Sequence, residues 1–216
     1  MSLFITFEGP DGSGKSTQID LIAQYIQELG YDVLCTREPG GTSIGNQIRT
    51  VLHDVANTEM AAQAEVLLYS ASRAQLVEQV ILPHLNRGGV VLCDRYADST
   101  YAYQGYGRQL EFDVLRLITR FATQNLKPDI TVYLDLEAKA GLNRKAVANS
   151  TGQGEWNRMD QLELSFHQRV RAGYLEMAEA EPQRWLVVDA NESVAKVHQT
   201  ICRRLEKVLK RGVTTK

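Results

Sequence analysis

Gly9-Pro10-Asp11-Gly12-Ser13-Gly14-Lys15-Ser16, followed by Thr17, is the stretch whose reading decides the fold. Before it runs Leu3-Phe4-Ile5-Thr6-Phe7, short, apolar and β-prone; after it, Ile19, Ile22, Tyr25, Ile26 and Leu29 recur at helical spacing. The order is strand, glycine turn, helix, the context that makes G-x-x-x-x-G-K-[ST] a phosphate-binding loop. Glycines let the backbone curl until several N–H groups face one anion. The helix that follows brings the positive end of its dipole to the same place. In this reading Lys15 reaches the β- and γ-phosphates and the Ser16 hydroxyl meets Mg²⁺.

Working outward, Gly30 stops the first helix, and Tyr31 to Thr36 reads as a second strand. It runs into the charged turn Arg37-Glu38-Pro39-Gly40-Gly41-Thr42, at the edge where open parallel sheets bind ligands. A helix with Ile44, Ile48, Val51, Leu52 and Val55 on one side carries Arg49. Residues Glu59 to Arg73 form a helix apolar around much of its circumference, which predicts burial on more than one side, in the core or in a subunit contact. Another helix spans about Gln75 to Asn86. Within the next strand, read from Val90 to Tyr96, is a near-continuous apolar run, as in a parallel strand covered on both faces. It ends at Asp94, where a phosphate-loop protein needs a carboxylate for Mg²⁺.

The stretch Asp98 to Arg108 is polar, aromatic and glycine-bearing, suited to a base and sugar pocket or to a solvent-facing loop. Further helices follow at Phe112 to Ala122, at Ala138 to Ala148 with Arg144 and Lys145, at Leu162 to Met177 and at Val194 to Val208. Strands fall at Ile130 to Asp135 and Trp185 to Asp189. Asn149 to Glu155 has no apolar anchor and reads as a mobile lid over the loop, within a segment of about 144–158 that ends at Arg158. Five strands alternating with helices predict one parallel sheet covered on both faces. The expectation is a single domain over 1–210 with a frayed tail at 211–216.

Bulk properties narrow the class. A chain of 216 residues can bury a substantial core, and 44% hydrophobic with 23% charged residues is ordinary for a globular protein. A net charge of -2 argues against general attraction to nucleic acid or membrane. Cys35, Cys93 and Cys202 form no C-x-x-C pair, so reduced thiols in a cytoplasmic protein are expected. Met1-Ser2-Leu3-Phe4 lacks the charged start of a signal peptide, and no apolar run approaches a membrane span.

Together these segments resemble the thymidylate kinases. The resemblance rests on F-E-G-P-D-G-S-G-K-S-T from Phe7 to Thr17, T-R-E-P-G-G from Thr36 to Gly41, Ala-Ser-Arg ending at Arg73, and C-D-R-Y from Cys93 to Tyr96. Tyr103-Gln104-Gly105, P-D-I-T-V-Y-L-D from Pro128 to Asp135 and Asn157-Arg158-Met159-Asp160 extend it. It implies a three-layer α/β/α P-loop NTPase fold with a five-stranded parallel sheet and a short lid. It implies ATP and dTMP as substrates, Mg²⁺ as cofactor, a role in dTTP synthesis, and a homodimer. Gly9 to Thr17, with Pro10, Asp11, Gly12, Ser13, Gly14, Lys15 and Ser16 between, would hold ATP. Ser16 and Asp94 would hold the metal. Asp11 would meet the acceptor's 3′-hydroxyl, with Glu38 close to the reacting phosphates. Arg49 and Arg95 would hold the acceptor phosphate, and Arg73 would point at the base. Tyr69 would stack on it, Thr100 and Gln104 would contact its edge, and Tyr103 would crowd the 2′ position. The catalytic set is Lys15, Arg95 and Asp11, with Arg158 and Arg144 at the lid.

The chain departs from the family at three places. One subtype carries an arginine in the loop where this chain has Gly12, the other places that charge in the lid, and here Ser150 to Trp156 contains no Arg or Lys. The family often has Asp where this chain has Asn157. Arg144, Lys145 and Arg158 flank the lid and are the cations left for that task. The alternatives are a kinase for another deoxynucleotide or deoxynucleoside, or a nucleotide-dependent switch; the chain has no N-K-x-D guanine motif.

Overall fold

The structure is a computed structural model that describes residues 2–152 and 156–213, without the side chains of 210–213. Its five strands are β1 (Leu3–Glu8), β2 (Val33–Arg37), β3 (Val90–Asp94), β4 (Ile130–Asp135) and β5 (Trp185–Asp189). They form one sheet in the order β2-β3-β1-β4-β5, parallel throughout. Every residue of β1 is buried, because helices cover both faces and each alternate side chain meets one of them. Leu3, Ile5 and Phe7 pack with α1 (Lys15–Glu28) and α9 (Val194–Val213), through Ile22, Ile26, Ile201 and Leu205. Phe4 turns to the other face and meets Leu76, Val77 and Ile81. Each such side chain contributes about 1.5–3 kcal/mol when fully buried, so the central strand is pinned in register. That register sets Phe7 beside Asp94, which brings the metal-binding candidate next to the start of the glycine turn.

The remaining helices are α2 (Ser43–His53), α3 (Ala62–Leu76), α4 (Leu82–Asn86), α5 (Ala97–Thr100), α6 (Phe112–Thr123), α7 (Ala138–Ser150) and α8 (Leu164–Ala180). A π-helical turn over Val77–Ile81 joins α3 to α4 into one rod, where the sequence reads two helices. The stretch from Asp98 to Arg108 is also helical, not a loop: α5 runs on into a π-helical segment, Tyr101–Gly107. Its glycines allow close approach, since a Cβ on Gly107 would stand 2.5 Å from the Phe166 ring and one on Gly105 2.8 Å from Phe112. The helix α7 continues two residues past Ala148, to Ser150, and α9 runs on through Val213 where a frayed tail was expected from Arg211. The rest of the expected lid at 153–155 and of the tail at 214–216 lies outside the described residues. Among the described residues no helix is long and apolar enough to cross a membrane.

Candidate active site

The turn after β1 is built on left-handed glycines, with φ of 140° at Gly9, 78° at Gly12 and 90° at Gly14. A Cβ at Gly9 would lie 2.6 Å from the Leu134 carbonyl oxygen, so the loop can lie against β4 only because this residue has no side chain. Lys15 opens α1, and its Nζ donates to the carbonyls of Gly9 and Pro10, each at 3.0 Å. Burial, and then Arg95, hold its pKa below the ordinary lysine value. Ser16 and Thr17 stand exposed at the same cavity.

Asp11 gathers the cations. Arg95 Nη2 donates to its Oδ1 at 2.8 Å, Lys15 Nζ stands 3.6 Å from the same oxygen, and Lys145 pairs with Oδ2. Burial alone would raise this carboxyl, but Arg95, Lys15 and Lys145 hold it well below the usual range. Lys145 also lies 2.7 Å from Asp160 Oδ2. Arg95 sits at φ 68°, a left-handed conformation unusual for a non-glycine residue. Two backbone bonds hold it there: its own N–H donates to Phe7 O, and the Tyr96 N–H donates to Glu8 Oε1, both at 2.9 Å. Its guanidinium lies 5.2 Å above the Tyr103 ring.

The other wall rises from α3. Glu65, Tyr69 and Arg73 recur at four-residue spacing and so share a face. Arg73 is 1% exposed; it donates to Glu38 Oε2 at 2.8 Å, to Thr100 Oγ1 at 2.9 Å and to Tyr96 O at 3.1 Å. Burial outweighs that partner and pushes the Glu38 carboxyl up to about 7. The Glu38–Pro39 peptide bond is cis. Arg49 Nη1 donates to Pro39 O at 3.1 Å. Tyr69, Arg73, Glu38, Arg49 and Thr100, with Tyr103, Gln104 and the loop residues Asp11 and Lys15, enclose one cavity of about 490 Å³, and Glu65 lies behind that wall.

The donor set fits a hard divalent cation. Asp94 Oδ1 is buried without a hydrogen-bond partner, and both Asp94 and Ser16 line the cavity. A site of one carboxylate and one hydroxyl, completed by phosphate oxygens and water, is the usual magnesium arrangement. Among the described residues there is no cluster of three or more His, Cys, Asp or Glu that could hold a metal by themselves.

The lid-side cations diverge from expectation. Arg144 turns away from the main cavity toward Gly12 O, Ala190 O and Asn191 Oδ1, at 3.4, 3.2 and 3.2 Å, and lines a smaller cavity behind the loop. Arg158 is buried, donates to Leu52 O at 3.1 Å and lies 2.7 Å from Glu65 Oε2, and it does not line the main cavity. Lys145 does line it. Successive residues on a helix point about 100° apart, and Arg144 and Lys145 accordingly reach the loop from different sides, one in each cavity. The chain's Gly12 has a reason too: a Cβ there would stand 2.9 Å from Arg144 Cβ, leaving no room for a larger residue. Asp160, the last residue of the Asn157-Arg158-Met159-Asp160 motif, also lines the cavity, as do His53 and His167, which carried no signal in the sequence.

Residues 7–201 match the family model described as thymidylate kinase. A thymidylate kinase of Roseiflexus sp. (strain RS-1) is 55% identical over 208 residues, which cover 93% of this chain and 92% of that relative. One of Deinococcus radiodurans is 52% identical over 188 residues, 87% of this chain and 88% of its own length. The solved structure of thymidylate kinase from Ehrlichia chaffeensis superposes with a TM-score of 0.75 at 32% identity, covering 94% of this chain and 98% of the other. The chain therefore belongs to the thymidylate kinase family.

Proposed function

We propose that ATP and dTMP meet over Asp11 and that the γ-phosphoryl group passes between them, giving ADP and dTDP. The observation that carries this reading is the convergence of Lys15, Arg95 and Lys145 on one carboxylate at the mouth of the glycine turn. Although Asp160 also draws on Lys145, three cations thereby stand together where two anionic phosphates must approach. A phosphate oxygen of dTMP is already anionic, so the step needs no strong base. That oxygen bonds to the γ-phosphorus while the bond to the β,γ-bridging oxygen breaks, and its electron pair leaves on ADP. Alignment and charge neutralisation supply most of the catalysis.

In this reading the loop N–H groups and Lys15 hold the donor phosphates, and Arg95 and Arg49 hold the acceptor phosphate. Tyr69 lies against the base, Thr100, Gln104 and Arg73 face its edge, and Tyr103 faces the sugar. Asp94 and Ser16 would hold Mg²⁺, which when bound neutralises charge on the donor phosphates. Lys145, in place of Arg144 or Arg158, is the lid-side cation. A homodimer is the proposed assembly, supported by the exposed apolar side chains Leu67, Val114, Leu117 and Phe121 on α3 and α6. A cytoplasmic location is supported by three cysteines with no disulfide between them.

The test is ATP consumption with dTMP, dUMP, dCMP, dGMP or thymidine as acceptor. The expected result is turnover with dTMP, weaker turnover with dUMP because one methyl in an apolar pocket is worth only ~1–3 kcal/mol, and none without an acceptor. ATP hydrolysis that ignores the acceptor would favour a switch instead.

A further inference from the structure

Glu65 is 0% exposed on α3, and no step of the proposed chemistry uses it. A buried carboxylate needs a reason. Its Oε1 accepts from Gln104 Nε2 at 2.9 Å, and its Oε2 accepts from Arg108 Nη2 at 2.9 Å and lies 2.7 Å from Arg158 Nη2. Burial works against its charge, but the hydrogen bonds from Arg108 and Gln104 hold the carboxyl below its usual value. An ionised carboxylate only accepts. Gln104 must therefore turn its amide nitrogen toward Glu65, which leaves its carbonyl oxygen for the cavity that Gln104 lines. Thr100 is fixed in a matching way: its oxygen accepts from Arg73, so its own hydrogen is left to donate. The wall thus offers an acceptor beside a donor.

We propose that Glu65 is a positioning residue for base selection. Anchored by Arg108 and Arg158, it fixes the sense of the Gln104 amide. The wall then takes a pyrimidine with N3–H beside a C4 oxygen and refuses one with N3 bare beside a C4 amino group. This rests on reading the cavity as the acceptor site.

The experiment measures the dissociation constants of dTMP and dCMP by calorimetry for the parent chain, Glu65→Gln and Arg108→Gln. In Glu65→Gln the neighbouring amide can satisfy Gln104 in either sense, so the dTMP-over-dCMP ratio should shrink about tenfold or more. Arg108→Gln leaves Glu65 facing Gln104 and should keep the ratio. A purely structural role would weaken both ligands together and leave the ratio alone. Should Glu65→Gln not fold, the double variant Glu65→Gln/Arg108→Gln, which keeps the net charge of the cluster, replaces it. A folded variant with the parent's ratio overturns the role of Glu65 while leaving the kinase reading intact. A parent chain that does not bind dTMP overturns the kinase reading itself.

Discussion

Lys145→Met separates the lid-side cation from its neighbours. Lys145 is 9% exposed and bridges Asp11 and Asp160, and methionine matches its length without its charge. Losing one preorganised donor costs about 10²–10³ in kcat, or ~2.7–4 kcal/mol of barrier, and losing a sole arginine finger costs up to ~10⁵. Lys15 and Arg95 remain on Asp11, so the smaller figure applies. The base wall of Arg73, Thr100 and Gln104 is untouched, so the dTMP KM should move by less than about threefold. The fold should survive, because Asp160 keeps the Asn157 N–H at 2.8 Å and can take up a proton. Burial already raises the Asp160 carboxyl. The assay is steady-state ADP release at saturating ATP, with thermal unfolding as the folding check and Lys145→Arg expected to recover part of the rate. A folded Lys145→Met with kcat within about threefold of the parent would refute the assignment.

His53 gives a pH signature. Burial, and then Arg49, press its pKa down to about 3, while Asp11 pulls the other way and Lys145 and Arg95 add to the depression. The unfolded chain, with a histidine near 6.5, then binds more protons below that pH. Stability from this group is present above pH 6.5 and is lost as pH falls toward 3. Thermal unfolding of His53→Gln against the parent at pH 8 and pH 5 should show the variant gaining up to about 2 kcal/mol on acidification, and parallel curves would contradict it. Phe121, 87% exposed, tests the assembly: Phe121→Glu should convert a dimer into a monomer by light scattering. A parent that is already monomeric at the same concentration sinks the homodimer.

The sheet was legible because each strand carries its own signal: short apolar runs, ended by glycine or a carboxylate, between segments of helical period. The loop was legible because its chemistry lies in consecutive residues. What was not legible depended on packing between distant segments. Tyr101 to Gly107 has poor helical propensity and no apolar period, and its helical form rests on rings from α6 and α8. Glu65, in the first turn of a helix, reads as a solvated charge, and only the fold brings Arg108 and Arg158 around it. Arg144 and Lys145 are adjacent, and which one faces the main cavity depends on the rotation of α7, which one chain of letters does not specify.

The backbone at Arg95 sets two selective pressures against each other. A side chain in the left-handed region costs roughly 1–2 kcal/mol that glycine would not, while the guanidinium pairs with Asp11 and lies over the Tyr103 ring. The backbone term pulls this position toward glycine, and the ion pair with Asp11 offsets part of it. A library sorted only for heat resistance would feel that pull and be blind to losing the phosphate contact proposed for Arg95. Stabilising campaigns on this scaffold therefore need turnover as a second criterion, above all at the turn that follows β3.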